Sequence, residues 1–99
     1  MNSSICIEES RIPDFCRRWN VVELAVFGSV ARGDFREDSD VDIMVTFAPT
    51  AHIGLLSLGR MENELADIFH RKVDLVTKGG LKPLIRDDIL AEAEVLYAA

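Results

Sequence analysis

The residues best suited to chemistry in this 99-residue chain are a glycine–serine pair and three aspartates. Gly28-Ser29 directly follows the apolar run Val21 to Phe27, Asp40 and Asp42 head a second run ending at Phe47, and Asp74 sits inside a third, Lys72 to Thr77. Glycine lets a backbone turn approach an anion closely, and the N–H groups that open a following helical turn face that anion. Gly28-Ser29 can thus cradle phosphate, or be no more than a turn. No Gly-Lys-Ser/Thr follows it, so a nucleotide site here is not of the P-loop type.

Side chains alternate along a strand, which puts Asp40 and Asp42 on one side, about 6.6 Å apart along the chain. Neighbouring carboxylates repel unless a cation lies between them. Mg²⁺ suits them, because it takes hard oxygen ligands and keeps positions for water and phosphate. The plain alternative is a solvated strand entrance. A calcium loop is excluded: Asp38, Asp40 and Asp42 mimic its first, third and fifth positions, but Ile43 stands where glycine is needed and Pro49 where glutamate is needed. Asp74 is a charge among Val73, Leu75 and Val76. It either faces water from an edge strand or, if its strand lies beside that of Asp42, completes an acidic cluster. Three carboxylates facing a phosphate turn would make a two-metal phosphoryl-transfer site, with one ion on a triphosphate and another about 3.5–4 Å away activating the attacking hydroxyl.

The elements that must position these residues are legible from periodicity. Ile12, Phe15, Cys16 and Trp19 recur at helical spacing over Arg11 to Trp19, with Pro13 in the first turn and Asn20 ending the helix. Strands are expected over Val21 to Phe27, Asp40 to Phe47 and Lys72 to Thr77, being rich in β-branched and aromatic residues. Ser29 can cap a short helical turn through Arg32, and 33–39 reads as a polar loop. A longer helix, Gly54 to His70, carries the apolar stripe Leu58, Met61, Leu65, Ile68 and Phe69. A last helix begins near Pro83 and is expected to run to about Tyr97, with Ile85, Ile89, Ala93 and Leu96 inward. The expectation is a single α/β domain over 1–99, ordered α-β-α-β-α-β-α, with a three-stranded mixed sheet flanked by helices.

Composition narrows the function. Hydrophobic residues at 48% and charged residues at 28% describe a folded chain, and no apolar run is long enough to span a membrane. A net charge of −6 disfavours direct binding of nucleic acid, whose backbone it would repel. The first residues lack the basic and apolar segments of a signal peptide. Cys6 and Cys16 show no metal or redox spacing. These features predict a cytoplasmic protein with reduced thiols. His52 and His70 fall beyond a turn and at a helix end, where solvated histidines are expected.

Gly28-Ser29, ten intervening residues, then Asp40-Val41-Asp42 resembles the signature of the polymerase-β-like nucleotidyltransferase superfamily. Phe27, Ala31-Arg32-Gly33-Asp34, Ser39 and Lys72-Val73-Asp74-Leu75-Val76 extend the resemblance. In size the chain is similar to the minimal nucleotidyltransferase (MNT) group, which includes antitoxins of HEPN/MNT toxin–antitoxin pairs. The resemblance implies that Gly28 and Ser29 hold the β- and γ-phosphates of ATP, with Arg32 aiding them or serving a loop salt bridge. It implies that Asp40 and Asp42 ligate two Mg²⁺ ions, and that Asp74 binds the catalytic ion and helps deprotonate the acceptor. The implied reaction moves AMP from ATP to a tyrosine of a HEPN ribonuclease toxin. With every element spent on the nucleotide layer, the acceptor is expected to arrive on another protein, and homo- or hetero-oligomers stay open. Two other readings remain: an antitoxin that neutralises by binding alone, and a small-molecule nucleotidyltransferase of the aminoglycoside type.

Overall fold

The computed structural model describes residues 9–28 and 40–99. The expected helical turn after Ser29 and the loop 33–39 lie outside the described residues. A 3-10 turn, Glu9–Arg11, leads into helix α1, Ile12–Arg18. Asp14 in its first turn and Arg17 and Arg18 in its last complement the helix dipole, and Pro13 sits where its missing N–H is no loss. Asn20 then turns the chain through the left-handed region, φ 58°, into β1, Val21–Phe27. Strand β2, Val41–Phe47, is followed by helix α2, Leu55–Phe69, which ends on a left-handed His70. Strand β3 is Val73–Thr77, and helix α3, Pro83–Glu92, leads to a fourth strand, β4, Glu94–Ala98.

The sheet has the order β3-β2-β1-β4. β1 runs antiparallel to both β2 and β4, whereas β2 and β3 are parallel, joined through α2. Parallel neighbours need such a crossover, which a tight turn cannot supply. One face of the sheet is closed by α1 and α2. Phe15 and Cys16 of α1 and Met61, Leu65, Ile68 and Phe69 of α2 are buried against Leu24, Val26, Val41, Ile43, Val45 and Val73. The helix stripe foreseen from spacing is thus the core, with Leu58 packed at its margin. Burial pushes the Cys16 thiol up to about 12, as suits an inert core cysteine.

Two expectations fail at the C-terminal end. The sheet has four strands, not three, and the last helix stops at Glu92 instead of continuing to Tyr97. Ala93 is already extended, at φ −65° and ψ 139°. The Glu92-Ala93-Glu94 run has helical propensity, but Val95-Leu96-Tyr97 are strand formers, and β1 would otherwise present an open edge of unpaired backbone groups. Pairing wins over local preference. The inward stripe expected of this helix fails with it: α3 buries no residue and Ile85 is exposed, while Leu96 reaches the core from β4.

Candidate active site

Residue parity in β2 and in the edge strand β3 builds the site. Val41, Ile43 and Val45 of β2 face the core, which turns Asp42 and Met44 to the opposite face. In β3 the same alternation buries Val73 and exposes Asp74. The parallel register sets Asp42 opposite Asp74, on strands about 4.8 Å apart. The condition on which the acidic cluster depended, β3 beside β2, is met. Glu62 of α2 accepts the Leu75 N–H at 3.1 Å, pinning β3 one residue beyond Asp74.

At the end of β1, Phe27 lies opposite Asp42, and the chain turns at Gly28 with φ +73°. A side chain is strained there, and space forbids one as well: a Cβ on Gly28 would collide with the Asp42 carboxylate and stand 3.2 Å from its Cγ. Glycine is required at this position because the turn and the carboxylate touch. The two ends of the Gly28–Asp42 stretch therefore meet in space. The buried Gly28 donates its backbone N–H to Glu92 Oε1 at 3.0 Å.

Asp40 stands apart. It precedes β2, is exposed, and its carboxylate lies 3.9 Å from Lys72 Nζ, whose side chain is itself 81% exposed. Such an exposed pair is weak and easily exchanged. Among the described residues no three His, Cys, Asp or Glu side chains are grouped closely enough to hold a metal ion. Asp42 and Asp74 nevertheless fit the chemistry of Mg²⁺, which is often held by one or two carboxylates and completed by phosphate oxygens and water. Ser29 and Arg32 lie outside the described residues. His52 and His70 are exposed, as expected of solvated histidines.

Glu92 escaped the sequence reading. On a helix running to Tyr97 it would be an ordinary surface glutamate; only the start of β4 two residues later carries it to the turn. The β-branched Val95 and aromatic Tyr97 were the available signal.

A family model described as a nucleotidyltransferase domain matches residues 10–96. Among curated relatives, protein adenylyltransferase MntA of Thermococcus cleftensis is 43% identical over 75 residues, covering 76% of this chain and 74% of that protein. A solved toxin–antitoxin structure with AMP-PNP superposes with a TM-score of 0.76 at 22% identity, covering 94% of this chain and 75% of that one. A tri-AMPylated Shewanella oneidensis HEPN toxin in complex with MNT antitoxin gives a TM-score of 0.66 at 20% identity, covering 92% and 70%. At those identities the two structures establish the fold alone. No helix among the described residues is long and apolar enough to cross a membrane.

Proposed function

The chain belongs to the nucleotidyltransferase domain family, and from that premise we propose that it is a Mg²⁺-dependent protein adenylyltransferase. It moves AMP from ATP to a tyrosine hydroxyl of a HEPN-type partner and acts as that partner's antitoxin. The observation that carries this reading is the contact between the Gly28 turn and the Asp42 carboxylate, with Asp74 in register beside it. The adenylyltransferase relative and the AMPylated HEPN toxin complex support the choice of acceptor class. The AMP-PNP complex supports ATP as the donor.

In this reading Gly28 and Ser29 hold the β- and γ-phosphates, with Arg32 as a further cationic contact. Asp42 and Asp74 hold Mg²⁺, and Asp40 joins them by turning away from Lys72, an exposed partner given up at little cost. Bound there, Mg²⁺ ions supply charge neutralisation to the phosphates. The acceptor oxygen attacks the α-phosphorus, its proton passing toward Asp74, while the bond to the β-phosphate oxygen breaks and pyrophosphate leaves. The new bond is a tyrosyl phosphodiester. A single domain over 1–99 and a cytoplasmic setting complete the proposal.

The test is incubation with ATP, Mg²⁺ and the candidate HEPN partner, read by intact mass. Wild type should add AMP to a partner tyrosine, and Asp42→Asn should slow transfer by roughly a thousandfold or more, about 4 kcal/mol of barrier. A partner left unmodified by wild type, yet still neutralised by Asp40→Asn/Asp42→Asn, would show that binding alone does the work.

A further inference from the structure

The hydrogen bond from Gly28 to Glu92 joins residues 64 apart in sequence. Three features converge on it. Glu92 ends α3, where a carboxylate opposes the helix dipole, so helix stability does not account for it. The β1–β4 register sets Glu94 opposite Val26, and antiparallel continuation brings Glu92 level with Gly28. Gly28 itself is buried in a left-handed conformation beyond the last β1–β2 pair, where its N–H needs an acceptor. A carboxylate is a strong one.

We infer that Glu92 is a positioning residue of the nucleotide site: by accepting the Gly28 N–H, it holds the glycine turn in the conformation that lies against Asp42. This rests on the reading of Gly28 as part of the triphosphate turn. Glu92 acts through backbone and not on the reacting atoms, so its removal affects ATP capture more than the chemical step. The acceptor oxygen is the operative feature. Glutamine, which keeps that oxygen, therefore substitutes where alanine does not.

The experiment compares wild type, Glu92→Gln and Glu92→Ala as full chains, each with ATP and the HEPN partner, and follows Gly28 amide hydrogen exchange by NMR. Glu92→Ala should raise KM for ATP about tenfold with kcat changed less than about threefold, and speed Gly28 exchange about tenfold or more. Glu92→Gln should stay within about threefold of wild type in both readouts. Unchanged Gly28 exchange in the alanine variant overturns the inference, as does a glutamine variant that fails as fully as alanine, or unfolding of both. The exchange measurement needs no partner. Faster Gly28 exchange alongside a wild type that adenylylates nothing would therefore support the Glu92 contact while overturning the proposed function.

Discussion

The two faces of β2 carry different burdens on consecutive residues. Val41, Ile43 and Val45 are fully buried beneath α1 and α2, whereas Asp42, between them, turns to the face it shares with Asp74. The second face is not polar throughout: Ala25 and Met44, further along it, are 1% and 2% exposed. Asp42 and Asp74 lie at the end where β1 departs and β2 and β3 enter, whereas Glu23, at the far end of β1, is paired with Lys78. Stability and chemistry are thus separated by residue parity within one strand, not by domains or loops.

Adjacent substitutions should break that division cleanly. Ile43→Ala removes fully buried methylenes and should cost about 2–5 kcal/mol. At roughly 4–8 °C per kcal/mol for a chain of this size, Tm by calorimetry should fall by more than about 10 °C. Asp42→Asn, one residue earlier, should leave Tm unchanged or raise it, because it relieves repulsion with Asp74 while abolishing transfer. Equal destabilisation by both would refute the separation.

The same contrast explains what the sequence disclosed. The core face was legible because hydrophobic periodicity records burial directly: Met61, Leu65, Ile68 and Phe69 fall at helical spacing, and all four are buried. Gly28, Asp42 and Asp74 were legible by type and spacing, although only strand order could say that Asp74 lies beside Asp42. The C-terminal end misled because Ile85, Ile89, Ala93 and Leu96 fall at helical spacing although α3 buries nothing, while β4 is specified by a partner strand about seventy residues earlier. Glu92 was lost with it. The only local trace of its contact with Gly28 was indirect, the strand-forming Val95 and Tyr97 just beyond it.

Gly28→Ala sharpens the comparison from the position where the two regions join. The left-handed backbone costs an alanine about 1–2 kcal/mol, before the collision of its Cβ with Asp42 is relieved. Tm should drop by roughly 5–10 °C. Unlike Ile43→Ala, the variant should also lose adenylyl transfer when assayed well below its Tm, since relief of the clash displaces Asp42. Retention of full transfer would mean that the turn and the carboxylate need not touch.

The smallest effect belongs to the polar seam outside the core, where α1 meets α2. Arg18 donates to both oxygens of Glu64, and the Trp19 indole N–H adds a contact of 3.5 Å. The guanidinium holds the Glu64 carboxyl below its ordinary range against an opposing effect of burial, with the indole N–H adding a lesser downward pull. Folded Glu64 thus binds fewer protons than unfolded Glu64. Its contribution is fully present above the unfolded value of about 4.3 and is lost as pH falls through the lower folded one. Glu64→Gln should therefore flatten the acid limb of Tm against pH below about pH 4.5 and leave adenylyl transfer at neutral pH intact. The seam is partly exposed and screened by solvent, so the change should amount to a few degrees at most. An acid limb identical to wild type would show that these ion pairs align the two helices without stabilising them.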